Sequence, residues 1–186
     1  MGTKSVNICF NGTIESRDEA KYLLLNPGDF VIVKRGVPRY VILLCPCGCG
    51  DELIINLDKR SGPAWRLYEK SGCWSLYPSY WRKSGCNSHF ILWSDRIYWC
   101  HKDNETHDDW EVEEEIENKV LNALHGERFT HYIELADECG LVAWECLQAC
   151  NQLVEKRQCV ANEGEFKIYF KKLNPKSNIT SVDRSL

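Results

Sequence analysis

Residues 41–57 read VILLCPCGCGDELIINL: an apolar run, a turn with cysteine at every second position, and a second apolar run. Tyr40–Leu44 and Leu53–Leu57 have the length and β-branched content of strands. Between them Cys45, Cys47 and Cys49 crowd into five residues, too close to pair with one another and well placed to share a metal ion. Gly48 and Gly50 let the backbone turn tightly, so that amides can point at thiolate sulfur. The chain holds 11 cysteines, an odd number, and has no apolar export signal at its start. Both facts oppose a disulfide framework.

Outward from this stretch, residues 1–100 keep the same pattern. Phe30–Lys34, Trp65–Tyr68, Trp74–Tyr77, His89–Trp93 and Arg96–Cys100 read as further short strands between turn signals, with one early helix over Ser16–Leu24. A sheet or barrel of this size has a limited core, so a metal staple has a structural use. A second ligand pair lies in GCNSHF, as Cys86 and His89. Zinc takes four ligands in a structural site. The candidates are Cys45, Cys47, Cys49, Cys86, His89 and Cys100; the expected set is Cys47, Cys49, Cys86 and His89, with Cys45 as first substitute and Cys100 as a distant one. A Cys/His set without iron–sulfur cluster spacing favours Zn2+ over iron. Cys9, Cys73, Cys139, Cys146, Cys150 and Cys159 read as packing thiols.

The second half follows a different pattern. Residues 101–110, HKDNETHDDW, read as an acidic linker. Helices are expected at Glu113–Leu124, at His131–Cys139 (capped by Thr130 and stopped by Gly140) and at Val142–Lys156. A hairpin of Cys159–Ala161 with Phe166–Lys171 follows. Residues 111–172 thus resemble a winged helix-turn-helix domain, and residues 173–186 a disordered tail. The fold class is α+β: a zinc-stapled β-rich domain, then a winged-helix-like one.

Charge bears on what the second domain binds. Residues 1–100 carry 13 Lys and Arg against 9 Asp and Glu, whereas residues 111–172 carry 7 against 13. DNA binding depends on cations that neutralise phosphates. The third helix offers Gln148, Asn151 and Gln152 for base edges but one cation at its far end, which disfavours DNA. No apolar run approaches the ~18 residues of a membrane span, and the expectation is a soluble, cytoplasmic protein.

Four segments in order, LNPGDFVIV, VILLCPCGCGDELIINL, WRLYEKSGCWSLYPSYW and GCNSHFILWSDRIYW, resemble a bacterial zinc-binding family over about residues 25–100. Its hallmarks are a CxCGCG element, a tryptophan-bearing strand, an SLxPS element and a CxSH element. Here Leu92 intervenes before Trp93, and the last strand closes on Trp99-Cys100. The resemblance implies a place beside ubiquitin-like proteins and relatives of E1, E2 and JAB-type peptidases, in bacterial ubiquitin-like conjugation and antiphage defence. It implies no mechanism.

Three functions remain open at this point. The first is a non-catalytic adaptor or E3-like factor that contacts an E2-like protein or the ubiquitin-like protein. The second is a hydrolase that processes the modifier, using the metal or Ser79 of the SLYPSYW element. A serine nucleophile needs a free histidine base, and His89 cannot be ligand and base together. Ser79 is therefore a weak candidate while His89 stays in the ligand set. The third is a winged-helix DNA regulator.

Overall fold

The computed structural model describes residues 4–100, 111–164 and 167–173, and the chain divides into two compact units, 1–108 and 109–186. The expected linker, 101–110, lies outside the described residues, as do residues 174–186 of the expected tail.

In the first unit the strands are β1 (Cys9–Ile14), β2 (Asp29–Arg35), β3 (Val37–Leu44), β4 (Glu52–Asn56), β5 (Arg66–Lys70), β6 (Cys73–Trp81), β7 (His89–Trp93) and β8 (Arg96–Trp99). They form two four-stranded sheets, β1-β2-β3-β4 and β5-β6-β7-β8. One core lies between them, built by Ile8, Phe30, Ile32, Val41, Leu43, Leu53 and Ile55 on one side and Leu76, Phe90, Leu92 and Ile97 on the other. The opposite face of the first sheet is covered as well. Val31, Val33 and Ile42 pack against Ile14, Ala20 and Leu24, brought there by β1 and a 3-10 turn at Arg17–Tyr22 where a helix was expected. Burial on both faces explains why FVIV is continuously apolar instead of alternating.

The strand missing from the sequence reading is β1. Asn11-Gly12 interrupts it and reads as a turn. In the structure it is a bulge: β1 pairs parallel to β2 as Cys9↔Asp29 and Phe10↔Phe30, then shifts before Thr13↔Ile32.

The second unit contains α1 (Glu114–Ala123), β9 (Thr130–His131), α2 (Tyr132–Cys139), α3 (Ala143–Glu155), β10 (Cys159–Ala161) and β11 (Tyr169–Lys172). Its three strands are ordered β10-β11-β9. Val120, Leu124, Leu135, Ala149, Leu153 and Phe170 are buried, together with Cys146, Cys150 and Cys159. Gly140 ends α2 in the left-handed region, at φ 61°. The cap of α2 differs from expectation. Thr130 is held in β9 opposite Phe170, and His131 Nδ1 accepts from the Ile133 amide at 3.1 Å instead. Among the described residues no helix is long and apolar enough to cross a membrane.

Candidate functional site

The four thiols come from two turns. After β3, the Cys45 amide donates to the Asp51 carbonyl at 2.8 Å and the Gly48 amide to the Cys45 carbonyl at 3.1 Å, closing a small loop. Gly48 and Gly50 hold φ of 79° and 83°, where a Cβ is costly, so the glycines of CPCGCG shape the loop that presents the sulfurs. The second turn, between β6 and β7, carries Cys86. The Sγ atoms of Cys45, Cys47, Cys49 and Cys86 all lie within 4.8 Å of one another. Cys45 is 3.3 Å from Cys47 and 3.7 Å from Cys86. Four thiolates at ~2.3 Å from a tetrahedral zinc ion sit roughly 3.8 Å apart, so the group can hold such a metal ion.

Charge around the group is partly balanced already. Arg82 Nη1 is 3.8 Å from Cys86 Sγ, 3.9 Å from Cys49 Sγ and 2.6 Å from Asp51 Oδ2. Burial raises the Cys86 thiol, but hydrogen bonds from the Ser88 hydroxyl and amide, then from Cys47 and Cys45, outweigh it and lower the pKa to about 6. Burial pushes Cys45 far up, a cost that metal ligation offsets by holding the thiolate. Arg82→Met is expected to weaken metal retention about 10–100-fold in chelator competition; unchanged retention would show that Arg82 does not support the thiolates.

His89 lies outside this group, and so does Cys100. The reason is strand parity. Trp81 pairs with His89, and the Arg82 amide donates to the Ser88 carbonyl at 2.8 Å, so pairing of β6 with β7 runs on to Ser88. Ser88 and Phe90 are buried on the inner face, and Ser88 Oγ reaches Cys86 at 3.1 Å and Cys45 at 3.7 Å. His89, between them, faces the other side. Of the expected ligands the structure brings together Cys47, Cys49 and Cys86, and Cys45 takes the fourth place.

On that other face His89 meets Ser79. Between Leu76↔Leu92 and Tyr80↔Phe90, four residue steps on β6 face two on β7. The surplus forms a bulge over Tyr77–Ser79, and Pro78, which has no amide to give a ladder, fits there. The bulge places Ser79 Oγ 3.2 Å from His89 Nε2. Trp81, directly across from His89, stacks on the imidazole with centroids 5.4 Å apart and planes at 23°. Burial lowers the His89 pKa from its usual value. The imidazole is then neutral at neutral pH and able to accept the Ser79 proton, which is the chemistry of a nucleophile and its base. Ser79 and His89 are both half-buried, so the pair is not sealed inside the fold.

Residues 16–100 match the family described as bacterial ubiquitination-like system serine protease (BubE). That stretch holds the thiol group, Ser79 and His89. No curated protein and no solved structure matches the chain. The first unit is thus similar to this family, and the match associates the chain with bacterial ubiquitination-like systems.

Proposed function

We propose that the first unit is a serine peptidase that trims or removes the ubiquitin-like modifier of a bacterial ubiquitination-like pathway. The observation that carries this reading is the 3.2 Å contact of Ser79 Oγ with His89 Nε2, on a histidine that the four-thiol group leaves free. The description of the similar family as a serine protease supports it.

In this reading Ser79 Oγ attacks the carbonyl carbon of the scissile bond while its proton passes to His89 Nε2. The imidazolium returns that proton to the leaving amine, and an acyl-Ser79 ester forms. Water, deprotonated by the same nitrogen, then releases the carboxylate and restores the hydroxyl. The metal has no step in this sequence. Four thiolates would fill a tetrahedral shell and leave no position for water, so a zinc ion held there would supply rigidity. It would fix the turn that follows β6 and precedes β7, the two strands that carry Ser79 and His89.

The order of elements in the second unit supports a winged-helix-like reading, with a partner of the pathway, an E2-like or ubiquitin-like protein, as its ligand. DNA is not favoured. Gln152, one of three side chains available for base edges, accepts from the Val112 amide at 3.0 Å. A purely adaptor or E3-like role is the second reading, and the opposite net charges of the two halves favour it as a two-surface protein.

The test is cleavage of the ubiquitin-like protein fused at its C-terminus to a reporter, followed by intact mass. Cleavage at the junction by the wild type and none by Ser79→Ala is expected. Equal behaviour of the two proteins, whether both cleave or neither does, rejects the reading. The acid limb of the pH–rate profile is also expected to lie below the ordinary histidine value of about 6.5, because burial lowers the His89 pKa and the base works deprotonated. Activity would then be full at neutral pH and fall only on acidification; a limb above 6.5 would assign the base elsewhere.

A further inference from the structure

A serine–histidine pair works better when something stabilises the imidazolium formed as the serine proton arrives. In the familiar triad this is a carboxylate on the far ring nitrogen. Here, among the described residues, no carboxylate reaches the His89 ring. What reaches it is an indole. Trp81 occupies the position directly opposite His89 in the β6–β7 ladder, so the two side chains share one face of the sheet. The rings are stacked at 23° with centroids 5.4 Å apart, within the range at which a cation is held by a π face.

Trp81 packs on His89 and not into the core. It is 57% exposed and makes no part of the buried core, because strand alternation that sends Tyr80 inward sets Trp81 on the face of His89. Its neighbours in the row are accounted for: Tyr80 packs against the inter-sheet core, and Arg82 turns to Asp51 and the thiols.

We propose that Trp81 is a positioning residue, its π face orienting the His89 ring and stabilising the imidazolium during proton transfer. The inference rests on the reading of Ser79 and His89 as nucleophile and base. Among the described residues, the charged and titratable groups around the imidazole come from two places. From β6 comes the Ser79 hydroxyl, and from the turn after it Lys83, whose Nζ is 5.7 Å from the Trp81 centroid. Beyond β8 comes Cys100, whose amide bonds the His89 carbonyl and whose thiol is raised by burial and so is neutral. Lys83 opposes a positive imidazole, Cys100 is silent, and the indole favours it.

The experiment separates π stabilisation from packing. Tryptophan at position 81 is replaced, site-specifically, by analogues carrying one to four ring fluorines, which draw electron density from the π face while nearly preserving its shape. His89 is titrated by NMR in each protein, and Ser79 acylation by a fluorophosphonate probe is followed against pH. The imidazole pKa should fall stepwise with fluorine number, by about half a unit over the series, and the plateau acylation rate by about threefold. Trp81→Phe should keep most of the rate. A His89 pKa independent of fluorine number overturns the proposal, as does a Trp81→Phe protein that titrates normally yet loses acylation altogether. If the wild type takes no label at Ser79 while the pKa still follows fluorine, the peptidase reading fails, and the indole is left stabilising a histidine without a nucleophile.

Discussion

Replacing Ser79 with alanine is expected to lower cleavage of a modifier fusion by about 10^4-fold or more, with metal content and thermal unfolding unchanged. The half-buried hydroxyl contacts His89 and lies outside the inter-sheet core, so its loss opens no cavity of consequence. His89→Gln should be nearly as damaging, since the amide can hold a hydrogen bond to Ser79 but cannot take up a proton. The double variant should be no worse than either single one, because nucleophile and base act as a unit. Additive losses in kcat/KM would mean that the two side chains serve separate steps, and would dissolve the pair as a catalytic device. His89→Gln serves a second purpose. With His89 outside the thiol group, its removal is expected to leave the metal content of the protein unchanged, whereas a protein that lost metal with this change would return His89 to the ligand set.

Cys86→Ser is expected to unfold the first unit at temperatures where the second remains folded. A tetrahedral thiolate site contributes on the order of 10 kcal/mol to folding, comparable with the whole stability of a domain of this size. Cys86 joins the turn after β6 to the loop after β3, and so ties one sheet to the other. Cys45→Ser should behave alike. Cys9→Ser, at an exposed thiol outside the group, should have no such effect and controls for handling of reduced cysteine. Two separate calorimetric transitions, with only the one belonging to the first unit shifted by Cys86→Ser or by a strong chelator, would bear this out. A first unit that melts normally without metal would show that the hydrophobic core suffices.

Much of the first unit is legible in the sequence because its signals are local. Seven of the eight strands follow from short apolar runs between turn residues, and the thiol cluster from the closeness of Cys45, Cys47 and Cys49. What the sequence does not show is that His89 stands apart from the thiols, and the reason is parity. Spacing alone makes Cys86 and His89 a pair. The alternation of Ser88, His89 and Phe90 separates them, since a strand that sends Phe90 inward must send His89 outward. Ser79 was obscured for a related reason. A regular strand through Tyr77–Trp81 gives no cause to set that serine beside a histidine ten residues on; two surplus residues around Pro78 do. In the second unit the three helices follow from period and stop signals, but β9 is two residues long and depends on a partner, β11, far along the chain. No local pattern announces such a strand.

The matched stretch begins at Ser16, after β1. In the folded unit β1 covers the outer edge of β2 through parallel pairing from Cys9↔Asp29 to Ile14↔Val33. A fragment cut at Ser16 would retain every thiol of the cluster, Ser79 and His89, yet would bare that edge, with a run of unpaired backbone groups beside Phe30, Val31 and Ile32. Such an edge is a template for another chain. The shortened protein is expected to self-associate in sedimentation runs at concentrations where the longer one stays dispersed, and equal sedimentation of the two would show the edge to be harmless. Six residues that precede the matched stretch are thus expected to guard against aggregation.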